Sequence, residues 1–249
     1  MMTDENAQPC DDEQPPRSRG IYLLPNLFTT GALFSGFYAV IAGMNGDFVN
    51  AAIAIFVAMV LDGLDGRVAR MTNTSSQFGA EYDSLSDMVS FGVAPALVAF
   101  TWALDSVGKI GWFAAFIYVA CAALRLARFN TQIGSVDKKY FIGLPSPAAA
   151  AAVAGLVWAC SEFEVEPGPL AYVVAAFVAC CGLLMVSNVL YYSFKEVDFK
   201  GKVPFMILAG IVLVIGVISI SPATFLWLLF LLYMLSGPLL WLWRKRKVL

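Results

Sequence analysis

The sequence predicts an all-α membrane protein: a polytopic helical bundle of about eight transmembrane helices with both termini on the cytoplasmic side. Three observations predict it. Of 249 residues, 59% are hydrophobic and 14% charged, and the mean hydropathy is +0.74, whereas a soluble domain of this size is about a quarter charged. The apolar residues come in runs near the roughly 20 that cross a bilayer core as a helix. All but one of the 16 Lys and Arg residues fall on one side of the resulting layout, and cytoplasmic loops carry such an excess.

Residues 1–20 are polar, acidic and proline-containing, with Asp4, Glu5, Asp11, Asp12 and Glu13 and no apolar run. A signal peptide needs a basic start and an apolar core, so this stretch reads as a disordered cytoplasmic tail. Residues 21–249 then form one membrane-embedded domain. Its spans are expected at 22–43, 49–70, 83–104, 110–130, 146–161, 170–193, 204–220 and 222–243. The fifth is short and Ala-rich from Ala148 to Trp158, and Ser219, Ser221 and Pro222 make the break before the eighth.

The charges test that layout independently. Arg17 and Arg19 precede the first span, and Arg67 and Arg70 close the second. Arg125, Arg128, Lys138 and Lys139 follow the fourth, Lys195, Lys200 and Lys202 the sixth, and Arg244, Lys245, Arg246 and Lys247 the eighth. Lys109 alone lies opposite, where the loops carry Glu162, Glu164 and Glu166 instead.

Several function classes are excluded. A net charge of -2 argues against a nucleic-acid partner. With no histidine, a Ser/His/Asp triad, a His-ligated zinc and a haem axial histidine cannot be built. Cys10 lies in the polar tail, while Cys121, Cys160, Cys180 and Cys181 sit in apolar stretches without a CxxC pair, as small buried hydrophobes do. Trp227, Trp241 and Trp243 are expected at the membrane interfaces.

The anomaly is a set of carboxylates. Asp62 and Asp65 sit near the end of the otherwise apolar second span, three apart and therefore on one helical face. Asp83 and Asp87 are four apart at the start of the third, again on one face. An intramembrane carboxylate is costly unless paired or ligated, and four on two helices joined by a short loop repel unless a cation lies between them. Hard oxygen donors select Mg²⁺, Mn²⁺ or Ca²⁺. Helix N-terminal placement of Asp83 and Asp87, or pairing of Arg67 or Arg70 with Asp62 or Asp65, is the structural alternative. Gly66 and Gly79 beside the acids let a ligand approach the backbone, and Arg70 suits a phosphate. Together these features describe a lipid-tailed diphosphate substrate.

At this point the residues resemble a known family. Asp62-x-x-Asp65-Gly66-x-x-Ala69-Arg70, then eight residues, then Gly79-x-x-x-Asp83-x-x-x-Asp87 is similar at every fixed position to the signature of the CDP-alcohol phosphatidyltransferases. The stretches Ile21 to Ala42, Ser86 to Val98, Ala123 to Asn130 and Phe141 to Ala150 look like the membrane-bound bacterial phosphatidylserine synthases of that family; the C-terminal helices look generic.

The resemblance implies transfer of the phosphatidyl group from CDP-diacylglycerol to L-serine, with release of CMP. It implies Asp62, Asp65, Asp83 and Asp87 as ligands of a divalent metal, Mg²⁺ or Mn²⁺, and Asp87 also as general base. Gly66, Ala69, Arg70 and Gly79 would line the CDP pocket; from the residues themselves, Asn26 and Thr29, after Pro25, either reach the phosphates or serve ordinary helix-start chemistry. Arg125, Arg128 and Asn130 would bind the acceptor, because an amino-acid carboxylate suits an Arg fork; positive-inside anchoring is the plainer account of the arginines. Pro145 and Pro147 either shape the acceptor site or simply start the fifth helix. A homodimer in the lipid of a bacterial inner membrane, with its active site at the cytoplasmic face, is implied as well.

Other readings of the same aspartates differ in what they require. A sister enzyme acting on glycerol 3-phosphate, inositol phosphate or choline would share the signature. A prenyltransferase would place its two Asp motifs far apart in the chain. A cation-coupled transporter would place carboxylates near mid-bilayer, often with internal repeats.

Overall fold

The computed structural model describes residues 19–72, 76–131, 140–192, 210, 216 and 219–248. The chain is mostly helical, and among the described residues six helices are long and apolar enough to cross a membrane. Helix α1 is Arg19–Met44 and α2 is Phe48–Thr72. Helix α3, Gln77–Asp87, continues through a π-helical segment, Met88–Val93, into α4, Ala94–Trp102, as a single span. Then come α5 Lys109–Thr131, α6 Ser146–Glu162, α7 Ala171–Val186 and α8 Pro222–Val248. The α6 helix has 17 residues and falls just short of that length. The expected tail falls almost wholly, and the span at 204–220 mostly, outside the described residues.

Small residues set the packing. Every residue of α6 from Ala148 to Gly155 is buried, and the Ala run brings α2, α4 and α8 close around it. A Cβ on Gly155 would lie 3.1 Å from the Cα of Trp227, so α8 crosses α6 there backbone to backbone. Close approach through Gly, Ala and Ser is how helices associate where lipid supplies no hydrophobic drive. Buried hydroxyls add interhelical bonds: Ser35 donates to the carbonyl of Ala54 at 2.8 Å, and Ser90 to that of Ala32 at 3.0 Å.

Proline explains the π segment. Pro95 has no N–H to offer the carbonyl of Phe91 four residues earlier. The turn widens, with Ala94 N–H bonding the carbonyl of Val89 five residues back. The wholly buried Tyr118 of α5 donates its hydroxyl to the Phe91 carbonyl at 3.0 Å. The same arrangement recurs in α8, where Pro238 strands the carbonyl of Met234 and the buried Tyr191 hydroxyl bonds it at 3.0 Å.

Four expectations are corrected. The third span begins at Gln77, not 83, because Ser76 caps it with its hydroxyl accepting from Gly79 N–H at 3.0 Å. The helix expected to reach residue 193 stops at Val186, where Ser187 turns extended with ψ 159°. The bundle is also not purely helical: β1, Tyr140–Ile142, and β2, Leu190–Tyr192, pair antiparallel with Phe141 opposite Tyr191. Gly143 N–H bonds the carbonyl of Val189 at 2.8 Å and Leu144 N–H that of Leu184 at 3.0 Å, so this ribbon is fastened to the end of α7. Gly143 makes the turn at φ 80°, a conformation open to glycine at no steric cost. The expectation that the four cysteines of the apolar stretches are buried holds for Cys121 and Cys181 and is corrected for the half-buried Cys160 and the exposed Cys180.

Candidate active site

Helices α2 and α3 set the carboxylates facing one another. One oxygen from each of Asp62, Asp83 and Asp87 lies within 4.8 Å of the others. Asp83 Oδ1 is buried and has no hydrogen-bond partner among the described residues. None of the four aspartates takes part in an ion pair among those residues, and Arg70 turns back to donate its Nε to the Gly66 carbonyl at 2.8 Å. The capping alternative fails too, since Asp83 and Asp87 lie well inside a helix capped by Ser76. Three mutually repelling carboxylates and an orphaned buried oxygen make a donor set that fits a hard divalent cation.

Asp65 stands apart from this trio. It is 5% exposed, and its Oδ2 accepts a hydrogen bond from Thr29 Oγ1 of α1 at 2.7 Å. Thr29 is buried as well, and the carbonyl of Pro25, 3.2 Å from its Oγ1, is the longer, alternative acceptor for its single hydroxyl proton. The Thr29 carbonyl accepts from Ser86 Oγ at 3.1 Å, beside Asp87. One residue of α1 therefore ties the aspartate helix to the next.

Beside the aspartates lies a cavity of about 210 Å³, walled by Asp65 and Asp83. Asn26, Thr29, Gly66, Ala69, Arg70 and Gly79 all line it. A Cβ on Gly66 would meet no described atom within 4 Å, so the backbone of α2 is open to the cavity there. At Gly79 a Cβ would come within 3.2 Å of Ser76 Oγ and 3.5 Å of Asn26 Oδ1, so the glycine also keeps α3 close to α1.

Arg125 of α5 lies between the two contacts that join α5 to the span bearing Asp87, Tyr118 to the Phe91 carbonyl and Asn130 to Ser84. Its Nη1 donates to Ser146 Oγ at 2.8 Å, while its Nε is buried without a partner. Arg128, one turn on, donates to Asn188 Oδ1 at 3.0 Å. Asn130 instead reaches across to α3, donating to Ser84 Oγ at 3.0 Å. The three residues implied for the acceptor thus take up three separate partners.

This geometry is matched by a family description. The model for CDP-alcohol phosphatidyltransferase covers residues 22–185. The chain belongs to the CDP-alcohol phosphatidyltransferase family. A Helicobacter pylori CDP-diacylglycerol–serine O-phosphatidyltransferase is 37% identical over 92% of this chain and 95% of its own length. Proteins of the same name from Mycobacterium leprae, at 30% identity over 90% of this chain and 77% of theirs, and Bacillus subtilis, at 35% over 70% and 92%, are also similar.

Within this phosphatidyltransferase, sequence reasoning missed several neighbours of the site. Ser146 and Asn188 hold the two arginines of α5, and Tyr118 and Tyr233 lie within reach of the Arg125 charge. Ser146 sits between Pro145 and Pro147, a stretch the sequence singled out for its prolines. Tyr233 lies on a helix that looked generic, and no local pattern marks it.

Proposed function

We propose that this chain transfers the phosphatidyl group of CDP-diacylglycerol to the hydroxyl of L-serine, at the α2–α3 aspartates. The serine oxygen forms a bond to the phosphorus attached to diacylglycerol. The bond from that phosphorus to CMP breaks, and the hydroxyl proton passes to Asp87. The observation that carries this reading is the convergence of Asp62, Asp83 and Asp87 beside a cavity with an open backbone at Gly66. The names of the relatives support serine as the acceptor.

Asp62, Asp83 and Asp87, with Asp65 at the cavity wall, are the residues that would hold Mg²⁺ or Mn²⁺, which when bound polarises the diphosphate and offsets charge on the departing CMP. The remaining work belongs to side chains. Arg70 at the cavity rim supplies a fixed positive charge for the diphosphate, and Asn26 and Thr29 wall its other side. Serine's hydroxyl is a weak nucleophile, so a base held at the attacking atom accelerates the step. Arg125 of α5 takes the serine carboxylate, with Arg128 and Asn130 bordering the same approach. Fixing both substrates in line accounts for much of the remaining rate.

In the same reading eight helices cross a bacterial inner membrane and both termini and the active site face the cytoplasm, supported by the one-sided Lys and Arg distribution. Two copies pair through small-residue helix faces.

The test is CMP release by the purified chain in detergent with CDP-diacylglycerol and Mn²⁺ or Mg²⁺. Serine, glycerol 3-phosphate, inositol phosphate and choline are offered separately, with Asp87→Asn as control. Serine-dependent release, phosphatidylserine as product and loss of both in the variant are expected. Turnover with another alcohol alone would overturn the acceptor, and no turnover with any alcohol would overturn the reaction.

A further inference from the structure

The α5 arginines are held by a frame outside the aspartate site. Gly143 and Leu144 are bonded to Val189 and Leu184, which fixes where α6 begins. Pro145, at φ -58° and ψ 135°, leads directly into Ser146. Ser146 is 1% exposed, so its side chain has no freedom to wander. Its hydroxyl oxygen receives Nη1 of Arg125 at 2.8 Å. Asn188, beside the Val189 that bonds Gly143, receives Arg128 at 3.0 Å. Both arginines are therefore anchored at the same end of one small ribbon, one through the start of α6 after β1 and the other through Asn188 just before β2.

Arg125 is half-buried, and its Nε finds no partner among the described residues. A guanidinium carries five donors in a planar fork. One bond at Nη1 fixes the plane through Ser146, and the Nε, buried and unpartnered among the described residues, is a donor that a planar anion would satisfy. A carboxylate is the acceptor group whose geometry matches the Nε edge of such a fork in a bidentate fashion.

We propose that Ser146 is a positioning residue for acceptor selectivity: it orients the Arg125 guanidinium so that the free edge grips the carboxylate of the amino-acid acceptor. The proposal rests on Arg125 as the acceptor-binding group. Ser146 touches neither the reacting hydroxyl nor the diphosphate; it acts through Arg125. The frame of β1, Gly143 and β2 keeps that orientation when the acceptor leaves, so the fork is pre-organised.

The experiment compares the full-length chain with Ser146→Ala and Arg125→Ala, measuring KM for L-serine, KM for CDP-diacylglycerol, kcat, and the preference for L-serine over ethanolamine, which lacks the carboxylate. Alanine continues the Ala run of α6, and thermal denaturation checks the fold of each variant. In Ser146→Ala the serine KM is expected to rise about 10- to 100-fold, the effect of losing a hydrogen bond to a charged group. The preference over ethanolamine should fall by a similar factor, with much smaller changes in kcat and in KM for CDP-diacylglycerol. A serine KM within about twofold of the parent overturns the proposal. So does an equal rise in both KM values with a lowered melting temperature, which would mark a packing role only. If Arg125→Ala also leaves the serine KM unchanged, the acceptor reading of Arg125 falls with it; if only Ser146→Ala does, the positioning role alone falls.

Discussion

Gly66→Ala separates the stability of α2 from its use as a ligand wall. Gly66 lies inside α2, and a Cβ built there meets no described atom within 4 Å. Alanine is favoured over glycine in a helix interior by about 0.8–1 kcal/mol, largely because the unfolded chain loses freedom. The folded protein without substrate should therefore melt at a higher temperature than the parent. The open direction is nevertheless the cavity shared with Asp65, Arg70 and Asp83. A methyl that intrudes on a fitted ligand costs about 1–3 kcal/mol, which is roughly 5- to 150-fold in KM for CDP-diacylglycerol. The serine KM should change little. The assay pairs thermal denaturation in detergent with substrate-dependent CMP release. A lowered melting temperature would refute the open space at Gly66. Raised stability with an unchanged KM would refute close approach of the diphosphate to this backbone.

Asp83→Asn removes one of three crowded carboxylates, so in EDTA its melting temperature should equal or exceed that of the parent. Added Mn²⁺ should stabilise the parent by about 2.7 kcal/mol at a hundred times its Kd and the variant far less; equal stabilisation of both would remove Asp83 from the ion site. Thr29→Val keeps the shape but strips the donor from Asp65, and Mn²⁺ affinity measured by electron paramagnetic resonance should fall about 10- to 100-fold, with Thr29→Ser close to the parent. Unchanged affinity in the valine variant would leave Thr29 a packing residue. Tyr118→Phe orphans the Phe91 carbonyl that Pro95 cannot satisfy, at a cost of about 1–3 kcal/mol seen in denaturation. A neutral result there would mean that the widened turn satisfies the carbonyl by itself.

Local periodicity made the spans and the aspartate motif legible. Helix geometry alone places residues three or four apart on one face, so two acidic pairs near a membrane surface are visible before any tertiary contact is known. The prolines were equally visible, and each one names the carbonyl four residues earlier that needs a new donor. Which hydroxyl answers it was not visible: Tyr118 serves Phe91 from 27 residues away, and Tyr191 serves Met234 from 43. The short strands escaped for another reason. Three residues are too few to show a period, and their register depends on Gly143 meeting the end of α7.

The carboxylates mark the boundary most clearly. By itself the sequence determined that four aspartates form two acidic pairs, each on one face of one of two adjoining helices, with glycines and Arg70 beside them. It could not determine that Asp62 joins Asp83 and Asp87 while Asp65 turns to Thr29. A spacing of three leaves two side chains about 60° apart around the axis. That difference is small within one helix, but it is enough to aim one carboxylate at α3 and the other at α1. Which neighbour stands in each direction is set by the packing of α1, α2 and α3 together, and only the tertiary structure decided it.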